Sequence, residues 1–226
     1  MLAIIPARGG SKRFPNKNIS VFNGKRLIDR AIEQAIDSKL FTDIVFTSDD
    51  QRAINFARQY DIDIDERPAS LATDDTRIVE VVKYLLSQDR YQHHQEVALL
   101  FLTSPLRTVQ DITNTAAKLI DGYDSAQTVT EYPIAPQFAL DIQGDNIVPW
   151  HSYDYFRVLT TKQKIPKLYY PNYAVQVFRR DVVFTYNGFL GEKSGYVIIP
   201  PERAVDVDTK LDFKMAEFLS GYSVDE

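Results

Sequence analysis

The chain has 226 residues, 44% of them apolar and 25% charged, with a formal net charge of −5 and no cysteine. That composition suits a globular α/β protein of one domain spanning residues 1–226, and it excludes disulfides, thiolate chemistry and cysteine-ligated zinc. An acidic chain without a broad basic stripe is not built to hold nucleic acid, and no apolar run approaches the roughly 18 residues that cross a bilayer, so the expectation is a cytoplasmic protein with no membrane partner.

The first apolar run, Leu2 to Ile5, is long enough for a buried strand, and Pro6 interrupts its ladder because proline has no N–H to donate. Beyond it come Ala7, Arg8, Gly9, Gly10, Ser11, Lys12 and Arg13, and then Lys17 and Asn18. Gly9 and Gly10 lack Cβ atoms, which lets the backbone turn sharply and aim N–H groups at an anion. Arg8, Lys12, Arg13 and Lys17 would repel one another at this density unless a polyanion or neighbouring acids offset them. The stretch reads as a phosphate cradle at the carboxyl end of a strand, where open α/β sheets bind ligands; a solvated basic loop is the plainer alternative. There is no Gly-x-Gly-x-x-Gly and no Gly-Lys-Ser/Thr, which disfavours the usual dinucleotide and Walker-type sites.

Further along, Leu27, Ile28, Ala31, Ile32, Ala35, Ile36 and Leu40 recur at helical spacing. Ile44 to Thr47 reads as a strand, with Ser48-Asp49-Asp50 capping a helix through Tyr60. Ile62 and Ile64 mark an edge strand before Arg67, whose plain role is an ion pair with a nearby acid. The polar loop Leu71 to Asp75 could close over a ligand and leads into a helix carrying Ile78, Val81, Val82 and Leu85. His93 and His94 sit in a polar link and read as a solvated pair instead of a metal site, because adjacent positions do not share a face. Val97 to Leu102 has the pattern of a central parallel strand and ends in Thr103-Ser104-Pro105-Leu106-Arg107. A helix from Gln110 to Asp121 and a strand from Ser125 to Val129 follow. Prolines and aromatics exclude regular helix from Glu131 to Pro171, and Tyr153, Tyr155, Phe156, Tyr169, Tyr170 and Tyr173 suggest a self-complementary interface. After the strands 174–178 and 196–199, Asp206-Val207-Asp208 alternates so that two carboxylates would point the same way and share one ion. Asp208-Thr209 can also be read as the cap of a helix from Lys210 to Leu219. Strands alternating with helices imply a three-layer α/β/α arrangement around a mostly parallel sheet.

Ile5-Pro-Ala-Arg-Gly-Gly-Ser-Lys12 with Lys17-Asn18-Ile19, then Thr47-Ser-Asp-Asp50, Arg67-Pro68, Thr103-Ser-Pro-Leu-Arg107 and Asp206-Val-Asp208-Thr209, occur in this order. Together they resemble the CMP-N-acetylneuraminate synthetase (acylneuraminate cytidylyltransferase) family, which includes enzymes for legionaminate and pseudaminate. The resemblance implies a nucleotide-diphospho-sugar transferase (Rossmann-like) fold, with residues 131–171 as an excursion that reaches across a homodimer axis and caps the partner's active site. It implies transfer of CMP from CTP to an acidic nine-carbon sugar, with Mg²⁺ as cofactor and pyrophosphate as the other product. Arg8, Lys12 and Lys17 would act on the triphosphate, and Ala7, Gly9, Gly10, Ser11, Asn18 and Arg67 would help hold the nucleotide. Phe101, Thr103, Ser104, Arg107, Lys162, Gln163, Asn172 and Tyr173 would face the sugar, and Asp206 and Asp208 would hold the metal. Two positions depart from the family pattern: Phe101 replaces a glutamine, and Tyr173 replaces a glycine. Phe101 would present an apolar wall that favours a nonulosonate bearing methyl or acetamido groups over N-acetylneuraminate. The competing readings are a same-fold transferase for Kdo or a sugar phosphate, and a non-catalytic nucleotide-binding dimer.

Overall fold

The structure is a computed structural model that describes residues 1–150 and 165–221. Its elements run β1 (Leu2–Ala7), β2 (Val21–Phe22), β3 (Lys25–Arg26), α1 (Leu27–Ser38), β4 (Asp43–Ser48), α2 (Gln51–Ala57), β5 (Asp63–Glu66), α3 (Ile78–Leu86), β6 (Glu96–Leu99), α4 (Val109–Ile120), β7 (Ser125–Glu131), β8 (Leu140–Gln143), β9 (Asn146–Pro149), β10 (Tyr169–Arg179), α5 (Arg180–Tyr186), β11 (Ser194–Ile198) and α6 (Lys210–Ser220).

One seven-stranded sheet has the order β11-β7-β10-β6-β1-β4-β5, and every strand in it is parallel except β10. The period-two geometry of β1 sets up the layers. Ala3 and Ile5 join a cluster with Ile28 and Ile32 of α1 and Ile112 of α4, while Leu2 and Ile4 join a second cluster with Val82 and Leu85 of α3 and Val183 of α5. Both faces of the sheet are therefore covered, which is why β1 and β6 read as continuous apolar runs and not as alternating ones. The expected three-layer, mostly parallel architecture is present. Among the described residues, no helix is long and apolar enough to cross a membrane.

Several details differ from the sequence reading. The helix expected to reach Leu40 stops at Ser38, where Lys39 takes a left-handed φ of 56°, and the one expected to reach Tyr60 stops at Ala57. Residues 174–178 belong to a longer strand that runs antiparallel to both neighbours; an apolar run carries no information about direction. His94 is not solvated: it is 4% exposed and packs at the foot of β4. In the stretch 131–171, β8 and β9 form a separate antiparallel pair with Ile142 opposite Ile147, and both side chains are exposed. Tyr153, Tyr155, Phe156, Lys162 and Gln163 lie outside the described residues.

Candidate active site

The loop after β1 takes its shape from the two glycines. Gly9 donates its N–H to Asp49 Oδ1 at 2.8 Å. A Cβ on Gly9 would stand 3.1 Å from Asp49 Oδ2 and 3.3 Å from Asp50 Cβ, so a side chain there would push the loop away from β4. Gly10 has a φ of +66°, in the left-handed region that side chains disfavour. Asp50 caps α2 by accepting from the Arg52 N–H at 2.9 Å, which leaves Asp49 to hold the loop. Asn18 Nδ2 donates to the Arg8 carbonyl at 2.8 Å and ties the end of the loop back to its start.

Beyond the carboxyl ends of the central strands lies a cavity of about 530 Å³. Ala7, Arg8, Gly9, Ser11, Lys12, Lys17, Asn18 and Arg67 line it, together with Phe101, Thr103 and Asp208. Gly10 lines a smaller adjoining cavity of about 160 Å³. The mutual repulsion of the loop cations is offset by two acids. Arg8 Nη1 lies 2.9 Å and Lys12 Nζ 2.5 Å from the Asp74 carboxylate, while Arg13 Nη2 lies 2.7 Å and Lys17 Nζ 3.0 Å from that of Asp208. The hydrogen bond from Lys12, seconded by its charge and by Arg8, holds the Asp74 carboxyl below the usual range. Arg8 also donates to the Thr73 carbonyl at 2.8 Å, so the 71–75 loop folds down onto the cations. Arg67 is buried with its N–H bonded to the Ser48 carbonyl at 2.8 Å and its Nη2 to the Thr47 carbonyl at 3.0 Å. Burial lowers its pKa, with Asp49 and Asp65 opposing that shift.

Phe101 and Thr103 also line a second cavity of about 310 Å³, shared with Tyr173, Asp206 and Asp208. The Phe101 and Tyr173 rings meet edge to face, 6.4 Å apart at 80°. Tyr173 holds a φ of 58°, a conformation that costs a non-glycine residue about 1–2 kcal/mol. Residues 204–208 form no strand, yet the alternation survives: Val207 is fully buried with its N–H on the Thr103 carbonyl at 2.7 Å, and the two aspartates point into the cavity. Asp206 Oδ1 is buried without a hydrogen-bond partner. Burial pushes this carboxyl above its usual pKa and Asp208 adds to the shift, while a hydrogen bond from Thr103 and the charge of Lys17 oppose it. Thr209 is the cap of α6, paired reciprocally with Asp212, so Asp208 is not needed for capping. An orphaned buried carboxylate oxygen beside a second carboxylate is an all-oxygen donor set that suits a hard divalent cation.

A cytidylyltransferase family profile matches residues 2–181, from β1 through the start of α5. The chain belongs to this cytidylyltransferase family. It is 33% identical to post-translational flagellin modification protein B of Campylobacter coli, over 97% of this chain and 94% of that one. It is 32% identical to the CMP-N,N'-diacetyllegionaminic acid synthase of Campylobacter jejuni, again over 97% of this chain and 94% of the relative. A solved structure of CMP:2-keto-3-deoxy-manno-octonic acid synthetase complexed with CTP has the same fold, with a TM-score of 0.69 over 97% of each chain at 16% identity.

In this cytidylyltransferase the remaining sugar-side candidates lie under the cavities and do not line them. Arg107 is 2% exposed; its Nη1 donates to the carbonyls of Phe101 at 3.0 Å and Ala174 at 2.8 Å, and its Nε and Nη2 donate to Gln34 Oε1 at 3.2 and 3.0 Å. Burial pushes its pKa down to about 10. Asn172 is held in the β10 irregularity by Thr128 Oγ1 at 2.6 Å and Thr130 Oγ1 at 2.7 Å, and Ser104 is buried with its hydroxyl unpartnered. Arg107 thus braces the carbonyls of Phe101 and Ala174, and Asn172 ties the β10 irregularity to β7. Arg107→Ala would strand three acceptors, each worth about 1–3 kcal/mol, offset by removal of a buried charge. The expected net loss is about 3 kcal/mol, read as a fall of about 6–12 °C in Tm for a domain of this size. The sequence reading missed Gln34 and gave Asp74 no role of its own; their partners lie 73 and 62 residues away, and no local pattern carries such pairings.

Proposed function

We propose that this cytidylyltransferase joins CTP to an acidic nine-carbon sugar of the nonulosonic type, giving the CMP-sugar and pyrophosphate. The observation that carries the reading is the convergence of Arg8, Lys12, Lys17 and Asn18 on the larger cavity, with the Asp206 and Asp208 carboxylates opening onto its neighbour. The sugar's anomeric hydroxyl attacks the α-phosphorus; a new P–O bond forms as the α–β bridging P–O bond breaks, pyrophosphate leaves with the electron pair, and the hydroxyl proton passes to a phosphate oxygen. Such transfer depends on positioning and on charge stabilisation. Arg8 and Lys12 exchange Asp74 for the β- and γ-phosphates, and Lys17 stabilises the charge that grows on the departing pyrophosphate. The loop N–H groups of Gly10 and Ser11 and the Asn18 amide fix the nucleotide, with the Gly9 N–H holding the loop to Asp49 and Arg67 on the opposite wall. Asp206 and Asp208 would hold Mg²⁺, which when bound supplies charge neutralisation at the phosphates. Thr103 and the Phe101–Tyr173 pair form the sugar-side wall, braced by Arg107 and Asn172, with Ser104 beneath it. Lys162 and Gln163 would complete the sugar site.

The legionaminic acid named for the C. jejuni relative is one member of the sugar class proposed here. An apolar wall at Phe101 favours acids that carry methyl or acetamido groups, because a polyhydroxylated face would lose water there without gaining partners. We further propose that the chain works in the cytoplasm as a homodimer joined through residues 131–171. The nucleotide half of the reading is tested by thermal shift. CTP with Mg²⁺ should raise Tm clearly more than ATP, GTP or UTP, since a ligand at a hundred times its Kd stabilises the native state by about 2.7 kcal/mol. Equal shifts for all four would remove the cytidylyl assignment.

A further inference from the structure

We infer that Asp43, His93 and His94 form a binding site for a Zn²⁺-class divalent metal at the foot of the sheet, away from the nucleotide cavity. One ligand atom from each residue lies within 4.8 Å of the others. His94 Nε2 stands 2.9 Å and His93 Nε2 3.9 Å from Asp43 Oδ2. Ligands on one tetrahedral ion, with bonds of about 2.0–2.2 Å, lie about 3.3 Å apart, so a small rotation of the exposed His93 ring brings all three into range.

The adjacency that argued against a metal in the sequence does not hold in space. In a helix or strand, neighbouring side chains diverge, but these two histidines lie in the turn between Tyr91 and β6, and their ring centroids come within 3.9 Å at a tilt of 39°. His94 is 4% exposed, and its buried Nε2 faces the Asp43 carboxylate at 2.9 Å without a well-aligned hydrogen bond. A buried imidazole nitrogen aimed at a carboxylate and flanked by a second imidazole is a donor set that a metal ion would satisfy. The half-exposed Asp43 and exposed His93 leave a path for the ion and room for water in the remaining positions.

The donor set also fixes the class of ion. Imidazole suits Zn²⁺ and its neighbours, whereas Mg²⁺ prefers oxygen, so this site and the Asp206–Asp208 pair would not compete for one metal. Asp43 opens β4 and Ser48 ends it beside the loop that carries Gly9, so the histidine site lies a strand length, roughly 16 Å, from that loop. A metal here would tie the turn before β6 to the foot of β4, and its binding energy would add to the stability of the fold.

The test uses the full chain, stripped of metal and titrated with Zn²⁺ by calorimetry and with Co²⁺ by visible absorption. One equivalent should bind, Co²⁺ should give the intense d–d bands of a low-coordinate nitrogen–oxygen site, and Zn²⁺ should raise Tm. His93→Ala, at an exposed position, should weaken binding by at least about tenfold and abolish the Zn²⁺-induced rise, with only a small change in the metal-free Tm. Asp206→Asn should leave Zn²⁺ binding unchanged. Absence of stoichiometric binding, undiminished affinity in His93→Ala, or loss of binding in Asp206→Asn would each overturn the assignment.

Discussion

Lys17→Ala is expected to lower kcat by about 10²- to 10³-fold, the usual cost of removing one preorganised donor from the place where transition-state charge develops. The Lys17 side chain is only 11% exposed, and its ammonium is fixed 3.0 Å from Asp208. On the proposed reading it would meet the phosphates with little reorganisation and in surroundings where water screens it weakly. Its removal leaves Asp208 still paired with Arg13 at 2.7 Å, so no carboxylate is stranded and Tm should stay close to native. Steady-state kinetics beside a melting curve separates the two outcomes. A fall in Tm comparable to a core truncation, with kcat preserved, would make Lys17 a structural partner of Asp208 and nothing more.

Asp206→Asn should also remove most Mg²⁺-dependent activity, again by about 10²-fold or more, but with a different stability signature. The carboxyl is buried, its Oδ1 has no hydrogen-bond partner, and burial raises its pKa. In the metal-free protein the ionised form is under strain, and a neutral amide relieves part of it. The variant should therefore melt at or above the native temperature without metal and should lose the increment that Mg²⁺ gives the native chain. CTP binding without metal should persist, because the loop N–H groups and cations are untouched. Near-normal activity at ordinary Mg²⁺ would mean that Asp206 holds no metal.

The parts of this site legible from sequence are those whose signal is local. The cradle from Ala7 to Asn18 announces itself through glycine and cation density next to an apolar run, and the cavity forms beside it. The Asp206–Asp208 alternation was legible for the same reason, although the ladder that would make it a strand is absent. What escaped were features set by distant parts of the chain. Asp74 meets Lys12 and Gln34 of α1 meets Arg107 only through the tertiary fold. Arg107 and Asn172 carry polar side chains that turn inward to satisfy carbonyls and hydroxyls, so their types suggest a ligand while their positions serve the framework. The direction of β10 depends on how the chain returns after β7, and the burial of His94 on the turn that folds it under Asp43. Neither leaves a trace in residue periodicity.

The most direct measurement is pyrophosphate release from CTP and Mg²⁺ with a panel of acids offered one at a time: legionaminic-type and pseudaminic-type nonulosonates, N-acetylneuraminate and Kdo. The account predicts release that requires both CTP and a nine-carbon acid, with kcat/KM higher for the methyl- and acetamido-bearing acids than for N-acetylneuraminate by a ratio on the order of 10 to 200. Release with Kdo alone, or none with any acid despite tight CTP binding, would contradict it.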